Sequence, residues 1–443
     1  MHPDSPAPVS HRAALLHPIQ MLIGAGVLVG LGWFAPSVSR GQQPLTDFLH
    51  AADDHSTDIR EAREVARGSG SAVDEARGRL LPTGTATGTY TRNEFAIQIQ
   101  LDPTDPTAVR VISPLDQFDA RLTLSMPLLD LGAWESFFAA EATADASRER
   151  SAAARDSVRM TVVQLWHQVV ASRAMVTAAE AALAANESTR EAAAARVEVG
   201  VSPAAELARA EAESARARQS LAEARLNALV AAQNLEVTTG LHPSDVAVVL
   251  SDDLHPEPVL DGFVGGAEGL PALRAAEADR RAGERMLEGA WFALLPTINV
   301  TLAERFTNAA GFSASSFWTL AFGASWTLDF VRPFTIETRE ASLAAARIRE
   351  EETLLLSRAA IIEAWHRVAA MIERASAAQA SLDANTRAAE DARARFDAGV
   401  GTQLESILSE RDRFSAEVNQ IQALGDLLVA RAALRIRSGM DLE

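Results

Sequence analysis

The sequence contains no cysteine and no lysine, and it has a single tyrosine. Without cysteine there is no disulfide framework, no thiolate metal site, no thiol catalysis and no acylated N-terminal Cys. Without lysine, every fixed positive side chain is an arginine. Aromatic residues make up 5% of the 443 positions while apolar residues make up 48%. Much of that apolar content is alanine, which suits long helices rather than a thick aromatic core. Positive charge is also scarce: 41 basic against 59 acidic side chains leave a formal charge of −18. That balance argues against nucleic acid as a partner and allows an acidic channel or cation-attracting surface. No internal run reaches the roughly 20 apolar residues of a spanning helix. No phosphate loop, Gly-x-Ser-x-Gly or His-Glu-x-x-His motif occurs, so neither enzyme activity nor a cofactor is expected. His50 and His55 are five residues apart, a spacing that does not put two ligands on one helix face, so no metal site is expected there.

The N-terminus reads as an export signal. His11, Arg12 and His17 precede an almost wholly apolar stretch from Ile19 to Ala35, and small residues follow before the polar Arg40–Pro44 segment. A basic region, an apolar region and a small-residue cleavage zone describe a secretory signal, assigned here to residues 1–41.

The rest of the chain repeats itself. Asp130 and Asp329 are 199 residues apart, as are Trp166-His167 and Trp365-His366, Arg196 and Arg395, Gly200-Val201 and Gly399-Val400, and Gly240 and Gly439. The register runs without a gap over 111 residues, 32 of them identical, about twice what alanine richness alone would give. Upstream the step becomes 214: Leu80-Leu81-Pro82-Thr83 matches Leu294-Leu295-Pro296-Thr297. The first copy therefore carries 15 extra residues between Pro82 and Asp130. The expected organisation is a first repeat over 42–240, an inter-repeat segment over 241–269, a second repeat over 270–439 and a short tail, 440–443.

Within each repeat the period changes. Ile298, Val300 and Leu302 alternate with polar residues, as do Trp318, Leu320, Phe322, Trp326 and Leu328, with a turn over 308–315 between them. In the first copy Leu122, Leu124, Met126 and Leu128 alternate, and Thr83–Thr91 is a weaker partner. This is strand alternation, giving one hairpin per repeat. The extra residues of the first copy, with Pro103, Pro106 and Pro114, read as a long loop. Strands of about ten residues with one apolar face fit either a transmembrane barrel or a soluble sheet packed on one side. Four strands cannot close a barrel alone, so a barrel requires several chains. From Asp130 to Val199 and from Thr338 to Ala398 the period is helical with no proline, on the order of 90–100 Å of continuous helix in each case. Each run ends at a glycine and is followed by a second helix, so the chain holds two helical hairpins with tips at 200–203 and 399–402.

This pattern resembles the TolC family of trimeric outer-membrane efflux proteins over residues 45–439. The residues carrying the resemblance are Pro44-Leu45-Thr46, the two Leu-Leu-Pro strand starts, the Leu-Asp pairs at 129–130 and 328–329, and above all two tips. These are Arg196-Val-Glu-Val-Gly-Val-Ser-Pro-Ala-Ala-Glu206 and Arg395-Phe-Asp-Ala-Gly-Val-Gly-Thr-Gln-Leu-Glu405. Two features depart from the family pattern: Val197 and Pro203 replace a common aromatic and Ser/Thr, and Gly401 stands where some members carry an arginine that locks the tunnel.

The resemblance implies a mainly α chain with membrane β. Four strands per chain would contribute to a twelve-stranded trimeric outer-membrane barrel, and long helical hairpins would form a periplasmic α-barrel. It implies a homotrimer in the outer membrane of a Gram-negative bacterium, with a large periplasmic portion. Its partners would be outer-membrane lipid, a periplasmic adaptor (membrane fusion) protein and an inner-membrane pump. The function implied is a passive exit duct of a tripartite efflux or type I secretion system. A structural periplasmic coiled-coil protein that tethers envelope components is the alternative from a different class.

Several residues follow as candidates. Arg196, Gly200, Val201, Arg395, Gly399, Val400, Gly401 and Thr402 form the tips and the adaptor contact. Gly200 and Gly399 relieve the backbone at helix reversals, and the two arginines read either as salt-bridge partners or as ligand contacts. Glu206 and Glu405 read either as a solvated helix face or, by resemblance, as an acidic ring at the periplasmic aperture. Leu124, Met126, Leu320, Phe322 and Trp326 are expected to face lipid. The repeated Trp-His pairs read as packing.

Overall fold

The computed structural model describes residues 43–244 and 250–440. The export signal expected over 1–41 lies outside them, as do the last three residues of the tail. The chain opens with helices α1 (Leu45–His55) and α2 (Thr57–Gly78), followed by strands β1 (Thr83–Arg92), β2 (Ile97–Gln100), β3 (Val109–Ser113) and β4 (Asp116–Leu129). Helices α3 (Leu131–Glu198) and α4 (Ala204–Thr239) complete the first repeat. The short α5 (Asp261–Val264) and a 3-10 turn over Gly265–Gly269 lead into α6 (Pro271–Phe292). Strands β5 (Thr297–Thr307) and β6 (Ser316–Ser325) and helices α7 (Val331–Asp397) and α8 (Gln403–Arg437) complete the second.

At 68 and 67 residues, α3 and α7 are each about 100 Å long. Asp130 starts the first by accepting the Ala133 N–H at 2.9 Å. Asp329 accepts from Val331 and Arg332, both at 3.0 Å. The second long helix therefore begins seven residues earlier than the uninterrupted helical pattern at Thr338. Pro333 falls in its first turn, where an N–H has no intrahelical acceptor to lose. No described helix is long and apolar enough to cross a membrane.

The four long strands form one antiparallel sheet in the order β1-β4-β5-β6. Each repeat supplies one hairpin, and β4 joins β5 across the repeats. A bulge near Pro127 in β4 accommodates a residue that cannot donate to the ladder. The segment expected to be a long loop is in part a second hairpin, β2 against β3. Its four- and five-residue strands are too short for their alternation to stand out between prolines. Its turn is held by Asp102, which accepts the Thr104 N–H at 2.8 Å, and Asp105, which accepts that of Thr107 at 2.8 Å.

The helices pack as two side-by-side hairpins, α3·α4 and α7·α8, joined along α3·α8. One core cluster lies around Phe48, Ile59, Val162, Val163 and Leu235; a second lies around Ile361, Val368, Leu427 and Leu434. The inter-repeat segment is pinned to the second cluster. Buried Arg431 donates to both oxygens of Asp252 (3.0 and 3.1 Å), to Glu257, and to the His255 carbonyl at 2.7 Å. The Trp365 indole donates to the Pro258 carbonyl at 2.9 Å.

Candidate functional site

Two regions carry functional geometry: the sheet and the paired hairpin tips. In the sheet, successive side chains alternate between faces. Rows run Leu124–Leu302–Leu320 and Met126–Val300–Phe322 on one face. The opposite face carries Thr85, Thr87 and Thr89 of β1, Arg121 and Thr123 of β4, Thr301 and Arg305 of β5, and Thr319 of β6. Arg305 pairs there with Asp119 at 2.6 Å. One face is thus an apolar band and the other a polar wall. Trp326 is exposed but lies one residue past the end of β6, its indole donating to the Leu294 carbonyl at 3.0 Å. It is not part of the ladder of a single chain. β1 and β6 each leave one edge unpaired.

The two tips share one backbone. Gly200 and Gly399 have φ of +74° and +76°, a conformation that costs other residues steric strain. In the first, the Val201 N–H reaches back to the Arg196 carbonyl (2.9 Å) and the Gly200 N–H to Val197 (3.0 Å). In the second, Val400 bonds Arg395 (3.0 Å) and Gly399 bonds Phe396 (3.1 Å). Both are Schellman C-caps. Gly401 is fixed for another reason. A Cβ there would lie 2.9 Å from Arg395 Cβ and 3.1 Å from the Phe396 nitrogen, so a side chain at this position requires the turn to shift.

The tips touch each other. The Arg196 guanidinium lies 4.1 Å from the Phe396 ring centroid, a cation–π stack. Gln403 Nε2 donates to the Glu206 carbonyl at 3.1 Å, and Arg393 donates to Thr189 and Ser188 at 3.2 and 3.3 Å. Arg395 is a salt-bridge partner of Asp391 at 2.6 Å, one helical turn away. Arg196 forms the ring stack, which its spacing in sequence could not reveal because Phe396 is 200 positions distant. Glu206 sits half-buried in the first turn of α4, and Glu405 sits exposed in the first turn of α8. Thr402 caps α8 by accepting the Glu405 N–H at 3.2 Å, and an acid in a first turn also complements the helix dipole. Their backbones are adjoining through Gln403; any convergence of the carboxylates needs further chains.

The repeated Trp-His pairs diverge. His167 is buried, and burial pushes its imidazole down to about 4, whereas His366 is exposed. The Arg431–Asp252–Glu257 cluster escaped the sequence reading altogether, because nothing local marks an arginine as buried.

The family model for outer membrane efflux proteins matches residues 48–241 and 267–439. Among solved structures, the fold is similar to that of CusC, at 17% identity and a TM-score of 0.78, covering 91% of this chain and 96% of that one. It is similar to the CmeC outer membrane channel of Campylobacter jejuni, at 18% identity and a TM-score of 0.75, covering 90% and 86%. It is also similar to the open state of the MtrE outer membrane channel of Neisseria gonorrhoeae, at 19% identity and a TM-score of 0.74, covering 89% of each chain. No curated protein matches the sequence. Both repeats lie within the matched residues, and the chain belongs to the outer membrane efflux protein family.

Proposed function

We propose that three copies of this outer-membrane efflux channel protein close a twelve-stranded barrel and continue it as a periplasmic helical tunnel, which passively conducts substrate delivered by an inner-membrane pump. The observation that carries this reading is the sheet: one apolar face, one polar face and two unpaired edges. In hydrocarbon each unsatisfied backbone group costs several kcal/mol, so such a sheet must close, and four strands are too few to do so alone. A periplasmic tether would have no use for the outward apolar band.

The tips are the adaptor contact. Val201 and Val400 are 75% and 80% exposed at the far end of the hairpins, where apolar side chains with no partner in the chain suit a docking protein. Glu206 and Glu405 set the charge of the aperture. The test is extraction from outer-membrane fractions, with heat-modifiable trimer migration and conductance in planar bilayers. A monomer that is stable in detergent with its strand signal intact would overturn the reading.

A further inference from the structure

The two hairpins of the sheet share one register but are filled differently on their apolar face. Thr83 pairs with Ser125 in the first hairpin and Thr297 with Ser325 in the second. Counting along the strands from those pairs, Gly88–Ala120 occupies the place that Leu302–Leu320 holds in the second hairpin. We propose that the space left by those absent side chains is a binding site for one acyl chain of the phosphorylated glycolipid of the outer leaflet. This inference rests on the membrane-barrel reading and adds to it a ligand and the residues that hold it.

Alternate residues of a strand share a face, and pairing carries that face across the sheet. Tyr90 lies opposite Phe118, Gly88 opposite Ala120, and Ala120 opposite Phe306. All five therefore stand on the face that carries Leu124, Leu302 and Leu320. They line an open notch of about 610 Å³. Its floor is Gly88 and Ala120, and a Cβ added at Gly88 would meet nothing within 4 Å. Towards the far end of the sheet it is bounded by the Tyr90 and Phe118 rings, whose centroids are 5.1 Å apart. Phe306 flanks it from β5. All three rings are exposed in the chain. The second hairpin has no such notch: its own leucines fill the place, and Glu304 and Trp318 stand beyond them instead of two packed rings. The fold therefore does not require the first hairpin to be bare.

Chemistry and position choose the ligand. The floor offers no side-chain polar group and the walls are aromatic, so a hydrocarbon chain gains contact there and leaves nothing polar unpaired. The polar atoms lie above the notch, not in it. The Tyr90 hydroxyl donates to Asp116 at 2.7 Å, and Arg92 donates to the same carboxylate at 2.7 Å. A charged rim over an apolar slot is the arrangement of a lipid with its head at the surface and its chain below. Aromatic residues collect where a bilayer meets water, which puts the ring pair at that boundary. The boundary is the outer one. β1 begins at Thr83 and β4 ends at Leu129 beside the long helices, whereas Tyr90 and Phe118 stand at the end away from them. With the helices in the periplasm, that end lies in the outer leaflet, where the lipid is glycolipid.

The test is native mass spectrometry of the full-length protein extracted from outer membranes in mild detergent. The parent oligomer should retain glycolipid, up to one molecule per copy. Gly88→Leu and Ala120→Leu each restore a side chain that the second hairpin carries, and each should lower retention several-fold. Gly84→Leu adds the same bulk to the same face of β1, four residues nearer the helices, where a Cβ also meets nothing within 4 Å; it should retain glycolipid as the parent does. The two filling variants lie on different strands, so either one reads the notch should the other fail to assemble. Equal retention by the parent and an assembled filling variant overturns the site and leaves the channel intact. Retention of phospholipid in the glycolipid's place overturns the ligand. A parent chain that does not partition into the outer membrane overturns the barrel reading, and the site with it.

Discussion

The two hairpin tips have one backbone and two chemistries. Both reverse through a left-handed glycine and the same pair of carbonyl contacts. Yet the aromatic lies in the second tip alone: Phe396 stacks under Arg196, while Val197 holds the equivalent place in the first and Arg395 turns back to Asp391. A stack therefore joins the two tips of one chain, whereas the reciprocal stack, Arg395 on residue 197 of a neighbour, has no ring to use. The contact within a chain is therefore expected to be the stronger one, with separation at the tips beginning between chains. Phe396→Ala tests this most severely. The ring is 4% exposed, and truncating a buried Phe costs about 3–5 kcal/mol. Tip amides should lose hydrogen-exchange protection and the closed channel should leak. Val197→Ala should do little. Val197→Phe should restore a second stack worth about 0.5–2 kcal/mol and tighten closure. An F396A channel as closed as the parent would show that the stack is ornamental.

The second contrast is between the two faces of the sheet. Leu320→Arg puts a charge on the apolar band at a cost of about 2–4 kcal/mol if it lies near the midplane, and trimers recovered from outer membranes should fall sharply. Thr319→Arg, on the polar wall beside Arg305 and Arg121, should assemble with a smaller loss. Equal damage at both positions would mean that the faces are not distinct.

His167 and His366 occupy the same repeat position in opposite environments. With its folded value near 4, His167 stays neutral where an unfolded histidine, near 6.5, is charged. The unfolded chain binds the extra proton between those values, so stability is complete above about pH 6.5 and is lost as pH falls towards 4, by up to about 3 kcal/mol. His167→Leu should flatten that part of the thermal midpoint's pH profile; His366→Leu should not. Parallel profiles for parent and H167L protein would remove the buried imidazole from the account.

The repeat made most of this fold legible. Two periods, alternating at Ile298–Leu302 and helical from Asp130, place the strands and hairpins because each strand has one apolar face and each helix an unbroken run. What stayed hidden depends on partners far away in sequence. The β2·β3 hairpin was obscured by its prolines and short strands. The Arg196–Phe396 stack and the Arg431 cluster join residues about 200 and 180 positions apart, and no local pattern reports such pairing. At the tips, the glycines were readable from spacing because a helix reversal demands them, whereas the crowding that fixes Gly401 depends on the folded turn.

The smallest expected effect concerns the aperture acids, where the two tips differ in burial rather than in residue type. Glu206 is half-buried and Glu405 exposed, and each lies in the first turn of its helix. In a trimer six such carboxylates would ring one opening, drawing in cations and repelling one another. Glu206→Gln with Glu405→Gln keeps the hydrogen-bonding shape and removes the charge. In planar bilayers the double variant should lose part of its cation preference and be blocked less by multivalent cations. The change should be largest at low salt, since the Debye length shrinks from about 30 Å at 0.01 M to about 3 Å at 1 M. The exposed Glu405 should dominate if the ring lies in open water, and Glu206 if the constriction is set deeper between the helices, so the single variants separate the two positions. Unchanged selectivity in a correctly assembled double variant would leave both as helix-dipole acids and move the search for the constriction away from these two positions.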